Sequence, residues 1–490
     1  MKNPPTAATR ATGVSGTIHH SPTLKLPALL LSGIVYYTLL AVIALTAIPY
    51  GAVEPWWRAL FECLVFVFAA LTIVARLLER DGNPRVYLPA LFFPVLALIA
   101  FALIQTVPWS HLSIAGIGIN QTLSADPFTT WQFVVQLFAL FLIASLLLIH
   151  TTTTRRLRVL VEVIIAVGMG SAIFGLWRQA SQHKAGFVLP HLAPGFGYGQ
   201  FINANHFAYL MEMALGLALG IVIFRGVTGK RLVLYLLAAL PMWLALVLAN
   251  SRGGILSMLC QIAFLASLFI SQKRGADENS QTETGAAAPG KLLRAPSLML
   301  RAAMIATLLL GAIVTVVFVG GDPLSGRMGS VSVELDPKTA DSYTLRPNIW
   351  RATWELIKDH PIAGAGFGGY WIAITKYHRG SGEVTPQEAH NDYLELLASG
   401  GLIGLAIGTW LAVVFIRVAR RQTHGKNSYL RAAKVGALAG IVAVAIHSLV
   451  DFGLHITINA VVFTALLAIV IISDSGLKDE VHAVESRHGI

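Results

Sequence analysis

Charged residues are scarce in this chain. They account for 12% of its 490 residues, whereas hydrophobic residues account for 55%. Since a soluble domain carries about a quarter charged residues, this composition excludes an ordinary soluble globular protein. Cysteine is scarce too, because Cys63 and Cys260 are the only two and both lie in apolar runs. The sequence therefore excludes a disulfide framework and a cysteine-based metal site.

Nucleotide-binding motifs are also lacking. The sequence has no Walker A motif, and its one G-x-G-x-x-G match, at 364–369, follows a helical pattern instead of a strand. Outside a strand–turn–helix context, such a match does not predict a dinucleotide site. Its glycines are more typical of a tight turn, and no cofactor is expected.

Long apolar runs, by contrast, are abundant. A helix needs about 20 apolar residues to cross a bilayer, and twelve runs approach that length. They are roughly 26–49, 57–76, 86–106, 131–150, 159–178, 205–224, 232–250, 254–271, 298–320, 398–418, 432–450 and 457–473. We therefore predict an all-α polytopic membrane protein with twelve transmembrane helices and a helical extracytoplasmic subdomain between spans 9 and 10.

The same twelve predicted spans explain the net charge of +11. Twelve spans put most Lys and Arg residues on the side of both termini, which the positive-inside rule identifies as cytoplasmic. The basic excess thus reports topology and predicts no nucleic-acid partner. The predicted organisation is a cytoplasmic tail at 1–25, spans 1–8 over 26–271, a disordered cytoplasmic linker at 272–297, span 9 at 298–320, an extracytoplasmic subdomain at 321–397, spans 10–12 over 398–473 and a cytoplasmic tail at 474–490.

The predicted outer subdomain contains enough aromatic residues to fold. Within it, Trp350, Trp354 and Ile357 recur at positions i, i+4 and i+7, with Ile349 beside them. This spacing predicts a short amphipathic helix at about 347–359, with these four side chains on its apolar face.

Two arginines are candidate anion-binding residues. Arg252 is the only Lys or Arg of a very short outer loop, and arginine offers a planar, permanently charged fork that suits phosphate. The alternatives are a snorkelling arginine at a helix end or an ion pair with Asp451. Arg346 has no carboxylate neighbour on its own helix and also suits an anionic ligand. Arg351, four residues before a glutamate, is more typical of a solvated helix face.

His390 begins the run H-N-D-Y-L, at the point where the outer loop re-enters the membrane. A neutral imidazole near pH 7 can take a proton from an attacking hydroxyl, which makes His390 a candidate general base. The alternative is a histidine that merely occupies a helix N-terminus or the membrane interface.

Further polar residues lie at the same outer end of the spans. Asn205 begins span six, and His447, Asp451 and His455 would share one face if that stretch were helical. The pattern favours a structural hydrogen-bonded pair over a metal site, because no further carboxylate–histidine cluster supports a divalent cation. Glu212, about two turns into span six, is a candidate base or a counter-ion to the loop arginine. No metal is predicted.

Residues 346–404 contain an R-x-x-x-W helix, a D-H-P-x-x-G-x-G-x-G turn and an H-N-x-Y-L run that ends in glycines. This combination resembles the signature region of the O-antigen ligase and O-unit polymerase superfamily. The sequences S-R-G-G, G-Q-F-x-N-x-N and H-S-L-V-D-F extend the similarity over about 200–455.

The resemblance implies a metal-independent, inverting glycosyltransferase of type C architecture in the bacterial inner membrane. Such enzymes of lipopolysaccharide or exopolysaccharide biosynthesis move a glycan from undecaprenyl pyrophosphate to a hydroxyl acceptor at the periplasmic face. Carried over to this chain, Arg252 and Arg346 would hold the pyrophosphate and His390 would be the catalytic histidine. Asn205 and Asp451 match motif positions to which no role is assigned.

Several alternatives stay open. The acceptor is the next repeat unit for a polymerase, a lipid A–core sugar for a ligase, and Ser or Thr for a protein O-oligosaccharyltransferase; the first two are favoured because no added periplasmic domain is evident for a protein acceptor. The competing class is a polysaccharide transporter or flippase. A transporter is expected to carry mid-bilayer polar residues or broken helices at matching positions of two halves, whereas the polar residues here lie at one surface.

Overall fold

The computed structural model describes residues 25–78, 89–114, 117–181, 192, 197–283, 346–378, 385–422 and 427–477. The helices of more than ten residues are α1 (Lys25–Leu45), α2 (Pro55–Leu78), α3 (Phe92–Gln105), α4 (Pro127–His150), α5 (Thr154–Ala180), α6 (Ala204–Ile223), α7 (Lys230–Leu248), α8 (Arg252–Glu283), α9 (Arg346–Asp359), α10 (Asp392–Gln422), α11 (Ser428–His447) and α12 (Thr457–Ile471). Between α3 and α4, strands β1 (Ser110–Ile114) and β2 (Ile117–Gln121) form an antiparallel hairpin with Ser110 opposite Gln121. Helices make up nearly all of the regular structure in these ranges.

The predicted spans coincide with helices wherever the structure describes them. Eight helices of the described ranges are long and apolar enough to cross a membrane, and three shorter apolar helices, Leu30–Leu45, Phe92–Gln105 and Thr457–Ile471, match further predicted spans. The prediction of an all-α polytopic membrane protein is therefore confirmed. The ninth predicted span, 298–320, lies outside the described residues.

Helix α8 extends beyond the predicted end of its span. It continues to Glu283 and so enters the segment 272–297, for which a disordered linker was expected. The first part of that segment is helical because its Ala, Glu, Gln, Lys and Arg residues favour helix and because an existing helix grows without a new nucleation step. Residues 284–297 lie outside the described part of the chain.

Helix α6 occupies the centre of the bundle. Apart from its first turn and Glu212 it is predominantly apolar, and it is buried from His206 to Ile223, as expected for a helix with no solvated face. Its most extensive contact is with α11. There Gly220 approaches Gly436 so closely that a Cβ on Gly220 would lie 2.2 Å from the Gly436 Cα atom. Small residues on both helices allow this approach of two backbones.

Helix α10 changes direction at Gly401, whose φ of 58° and ψ of −158° interrupt the helix. Glycine adopts such a conformation without the steric strain that a Cβ would cause. Across the break, the Leu402 amide donates to the Pro361 carbonyl at 2.9 Å and the Ile403 amide donates to the Ile362 carbonyl at 3.1 Å. The segment of α10 before the break, residues 392–400, packs against α9; we call it the outer segment of α10.

Helix α9 confirms the predicted amphipathic helix but not its predicted face. Trp354, which was expected on the apolar face, is 50% exposed. Thr353 faces the core instead, where its hydroxyl lies 2.6 Å from the Tyr370 hydroxyl and both groups are satisfied. The spacing of the large apolar residues was misleading because small and hydroxyl-bearing side chains make up part of the buried face. That face consists of Ile349, Ala352, Thr353, Leu356 and Ile357.

The glycine-rich sequence after α9 forms the expected tight turn. Gly364, Gly366 and Gly368 all have positive φ angles. The Gly366 amide donates to the Ser399 carbonyl at 3.0 Å, and the Gln105 side chain donates to that same carbonyl at 2.9 Å. The turn thus fastens α9 to the outer segment of α10 and to the end of α3.

Candidate functional site

The N-terminus of α6 and the α11–α12 connection meet at one end of the bundle. Asn203 caps α6, and its side-chain oxygen accepts the Asn205 amide at 2.9 Å. Asn205 and His206 consequently lie in the first turn of α6, next to the connection that carries Asp451. The Asp451 side chain is fully buried.

Asp451 is the centre of a polar cluster drawn from separate segments. Its Oδ2 accepts hydrogen bonds from Asn205 Nδ2 and from Arg346 Nη2, the latter at 3.2 Å. Its Oδ1 lies 3.5 Å from His390 Nδ1 and 3.9 Å from His206 Nε2. We call these five residues the Asp451 cluster. Four of the predicted site residues, Asn205, Arg346, His390 and Asp451, are thus brought together.

Asp451 is ionised in this environment. Burial raises the pKa of the Asp451 carboxyl, but the neighbouring His390 and His206 imidazoles, the Phe452 backbone N–H at 2.9 Å and the Arg346 guanidinium lower it to about 2. A carboxylate beside one ring nitrogen favours the tautomer with the proton on that nitrogen. We therefore assign the proton of neutral His390 to Nδ1, which leaves Nε2 as a proton acceptor.

The backbone on either side holds His390 in place. The Ala389 carbonyl accepts a hydrogen bond from Trp350 Nε1 at 2.9 Å, and the Ala389 amide donates to Glu395 Oε2 at 2.8 Å. His390 itself has a φ of 51°, a left-handed conformation that residues other than glycine seldom adopt. Strain of this kind is concentrated at functional sites. The side chain is 31% exposed, so the ring is open to a ligand.

Arg252 is the first residue of α8 and has an exposed side chain. The next residue, Gly253, packs against the end of α11: a Cβ on Gly253 would lie 2.6 Å from His447 Nε2 and 3.0 Å from Val450 Cγ2. Asp451 follows Val450 directly. The turn that carries Arg252 and the turn that carries Asp451 are therefore in contact.

The other predicted site residues lie apart from the Asp451 cluster. Glu212 and His447 are both buried and pair with each other, with 2.8 Å between Glu212 Oε1 and His447 Nδ1. Arg351 is exposed on α9. The glutamate four residues after it, Glu355, pairs with Lys358 at 2.9 Å.

His447, Asp451 and His455 do not share a helical face, because the stretch that contains them is not one continuous helix. Helix α11 ends at His447, the chain then turns, and His455 belongs to a short 3₁₀ helix. The three residues consequently contact different partners. Only a continuous helix would have aligned them.

A second polar cluster surrounds His455. His455 Nδ1 lies 3.2 Å from Glu388 Oε1, and His455 Nε2 lies 3.6 Å from both Asp392 Oδ1 and Glu395 Oε1. We call these four residues the His455 cluster. Partial burial opposes protonation of the ring, but Glu388 and Glu395 raise the pKa of His455 well above its ordinary value. Burial raises the pKa of Glu388, whereas His455 lowers it to about 2.

Sequence reasoning missed this second cluster, although three acidic residues close to His390 were a signal for it. The ligand atoms of Glu388, Glu395 and His455 lie within 4.8 Å of one another, which is the geometric condition for holding a metal ion. In the structure the histidine forms ion pairs with both carboxylates. These ion pairs account for the short distances.

The Phe452 ring lies between the two clusters. It makes edge-to-face contacts with His206 and His390, both with 4.8 Å between ring centroids, and with His455 at 5.8 Å. An apolar ring in this place separates the ionised Asp451 from the acidic side chains around His455.

The Asp451 cluster combines a cation with a proton acceptor. Arg346 is fixed through Nη2 to Asp451 but is 41% exposed, so the rest of its guanidinium is open to an anionic ligand. Asp451 would also stabilise an imidazolium formed by proton transfer to His390 Nε2. The arrangement suits general-base chemistry beside a bound anion.

Comparison with known proteins agrees with the resemblance seen in the sequence. Residues 237–408 match the family model described as O-antigen ligase. This segment includes Arg252, Arg346 and His390, while Asn205 precedes it and Asp451 follows it. No curated protein matches the chain.

Proposed function

We propose that this chain is a multi-pass membrane enzyme of the glycosyltransferase type that transfers a glycan from undecaprenyl pyrophosphate to a hydroxyl acceptor. The match of residues 237–408 to the O-antigen ligase family model and the long apolar helices support this proposal. The observation that carries this proposal is the Asp451 cluster. It joins an exposed arginine, an accessible histidine and a buried carboxylate at one end of the bundle, beside the turn of Arg252.

Arg252 and Arg346 bind the donor pyrophosphate in this proposal. Breaking the bond between the sugar and the pyrophosphate develops negative charge on the leaving oxygen. Cations fixed before the reaction stabilise that charge without reorganising. The hydrogen bond to Asp451 orients Arg346, and its exposure leaves the remaining N–H groups for the donor.

His390 is the general base. The acceptor hydroxyl gives its proton to His390 Nε2 while its oxygen attacks the anomeric carbon of the donor sugar. The bond from that carbon to the pyrophosphate oxygen breaks, and its electron pair leaves with undecaprenyl pyrophosphate. Because one displacement at the anomeric carbon occurs from the side opposite the leaving group, the configuration inverts. The two arginines supply the charge compensation, so the reaction as proposed is metal-independent.

We place the reaction at the periplasmic face of the bacterial inner membrane, with both chain termini in the cytoplasm. The lipid tail of the donor reaches the site laterally from the bilayer, which suits a cluster at the ends of apolar helices. The acceptor is a lipid A–core sugar if the enzyme is a ligase and a further lipid-linked repeat unit if it is a polymerase.

The deciding experiment uses the purified full-length protein in detergent with a synthetic undecaprenyl-pyrophosphate oligosaccharide and candidate acceptors. Release of undecaprenyl pyrophosphate together with a glycosylated acceptor is expected, and His390→Ala should abolish both. His360→Ala is the matched control, because His360 is an exposed histidine of the same subdomain. Turnover that survives His390→Ala, or wild-type protein that only moves donor across sealed vesicles, would overturn the proposal.

The acceptor class can be tested in cells that lack the protein. Loss of a polymerase leaves single-repeat lipid intermediates, whereas loss of a ligase leaves long chains that are not attached to lipid A–core. Mass analysis of the lipid-linked glycans separates these outcomes.

A further inference from the structure

The buried pair of Glu212 and His447 has no part in the reaction proposed above. Helix α6 supplies Glu212 and the last residue of α11 is His447, and both side chains are excluded from solvent. The imidazole is fixed in two ways. Its Nδ1 is hydrogen-bonded to Glu212 Oε1 at 2.8 Å, and the ring stacks on the Tyr209 ring with 4.2 Å between centroids.

The free edge of this imidazole is in contact with the turn that carries Arg252. A Cβ built on Gly253 would lie 2.6 Å from both Cδ2 and Nε2 of His447. The turn itself is well defined, because Ser251 Oγ accepts the Gly254 amide at 3.0 Å. How far Gly253 can approach the bundle is therefore set by the position of the His447 ring.

Cohesion between α6 and α11 does not require a polar pair. Gly216 and Gly220 of α6 already meet Gly440 and Gly436 of α11 at backbone contact distance. Replacing a buried ion pair by apolar side chains of similar volume is often neutral or stabilising. A rigid, oriented ring has a clearer use here, where α6 and the end of α11 meet the first turn of α8.

We propose that Glu212 and His447 form a positioning pair for donor binding: the oriented imidazole sets the depth of the Ser251–Gly254 turn and thereby holds Arg252 where it meets the donor pyrophosphate. This inference rests on the proposed function, since it assigns the pair to the anion-binding half of the site. It places no demand on the acceptor or on the proton transfer at His390.

The contact between Gly253 and His447 can be tested with a double-mutant cycle. Gly253→Ala adds a methyl group against the ring. In a helix this change causes no backbone strain. It should raise the KM for the donor about tenfold and leave the KM for the acceptor within about twofold. His447→Ala vacates the ring's space and should raise the donor KM by a similar factor.

The double variant Gly253→Ala, His447→Ala is the informative one. The new methyl group then occupies part of the vacated space, so its donor KM should not exceed that of His447→Ala alone. Gly254→Ala is the matched control, because its Cβ would meet Ala208 of α6 at 2.7 Å and not the imidazole. Removing the His447 ring should therefore leave the effect of Gly254→Ala on the donor KM unchanged.

Each outcome distinguishes a positioning role of Glu212 and His447 from a purely structural role. A purely structural role predicts lower unfolding midpoints and a smaller active fraction with an unchanged donor KM, and that result would overturn the inference. Additive effects of Gly253→Ala and His447→Ala would overturn it as well. If His447→Ala fails to fold, the cycle is repeated in Glu212→Met, His447→Ala, which removes the buried carboxyl group together with the ring.

Failure of the inference is distinguishable from failure of the proposed function. Wild-type protein without glycan transfer refutes the function, whatever the variants do. Wild-type protein with transfer and with an unchanged donor KM in Gly253→Ala refutes only the positioning role. Binding of undecaprenyl pyrophosphate to the detergent-solubilised protein, followed by tryptophan fluorescence, provides a readout besides turnover and should weaken in parallel with the donor KM.

Discussion

At the scale of single residues, Asp451 acts on both halves of the proposed reaction. It is buried and ionised, and it contacts the arginine assigned to the donor and the histidine assigned to the acceptor. A neutral isostere at this position would keep the packing but leave Arg346 and the imidazolium of His390 without their counter-charge.

Asp451→Asn is therefore expected to lower kcat for glycan transfer by about a hundredfold or more. The measurement is turnover of the lipid-linked donor by the purified protein. Glu355→Gln is the control, since it removes a carboxylate that pairs with Lys358 on the exposed surface of α9, and it should keep the wild-type rate. A rate for Asp451→Asn within threefold of wild type would show that His390 works without this carboxylate.

His455 gives rise to a pH-dependent contribution to stability. Because the folded protein raises the pKa of His455 above its ordinary value of 6.5, its stabilisation is complete below that value and is lost as the pH rises through the raised pKa. The unfolding midpoint of His455→Gln should fall below that of wild type by a few degrees at about pH 6, and the difference should shrink toward about pH 9.

Thermal unfolding in detergent at several pH values checks this prediction. The exposed His360 serves as control, and His360→Gln should show no such trend. A difference between wild type and His455→Gln that grows with pH would mean that the ring is neutral among its carboxylates.

Local patterns in the sequence were enough to find some site residues and not others. Arg252 is a basic residue in a short outer loop, where the positive-inside rule predicts few basic residues. Arg346 and His390 lie in sequence motifs, so all three can be recognised from their neighbours in the sequence. Asp451, the partner that Arg346 and His390 share, was not assigned, because the hydrogen bonds that join it to Asn205 and Arg346 span 246 and 105 positions. No local pattern records such contacts.

At the scale of elements, the break in α10 determines where His390 lies. The outer segment of α10 begins at Asp392, two residues after His390, and ends at Gly401, where the backbone turns. The glycine-rich turn after α9 is fastened to the same place through the Leu402 and Ile403 amides. The angle at Gly401 thus sets the position of the outer segment relative to the rest of the helix.

Gly401→Ala should destabilise the protein by about 2–4 kcal/mol. The added Cβ would have a φ of 58° and would lie 2.3 Å from the Ile362 carbonyl oxygen, which belongs to the backbone and has little room to move. The expected result is a lower unfolding midpoint and a reduced rate of transfer, because the outer segment shifts together with His390.

Gly408→Ala is the control for this element. Gly408 lies in the same helix, and its Cβ would meet only the flexible end of Leu396, at 2.9 Å. An effect of Gly401→Ala no larger than that of Gly408→Ala would mean that α10 can straighten without cost.

The elements themselves were more predictable than their faces. A membrane span is a long apolar run, and that requirement is local, so the described spans coincide with predicted ones. The buried face of α9 depends on Tyr370, a residue outside the helix whose hydroxyl is hydrogen-bonded to the Thr353 hydroxyl. The continuation of α8 to Glu283 depended on helix propensity instead of hydropathy.

At the scale of the whole molecule, the end of the bundle opposite the Asp451 cluster carries several basic residues of the described ranges, among them Arg155, Arg156, Arg158, Lys230 and Arg231. The Asp451 cluster lies where α6 begins and α11 ends, and Arg252 begins α8 at that same end. Helix α5 begins at the other end, where Arg156 donates to the His150 carbonyl at 2.7 Å. This separation supports an orientation in which the site faces the periplasm and the basic end faces the cytoplasm.

Cysteine labelling tests that orientation directly, and the chain suits the method because Cys63 and Cys260 are its only cysteines. With both replaced by Ser, Glu355→Cys adds a thiol on the exposed surface of α9, near the site. Arg231→Cys adds one at the exposed start of α7, at the basic end. In spheroplasts a membrane-impermeant maleimide should modify Glu355→Cys at once. Arg231→Cys should react only after lysis, because the bilayer separates the two ends, and the reverse pattern would place the site in the cytoplasm.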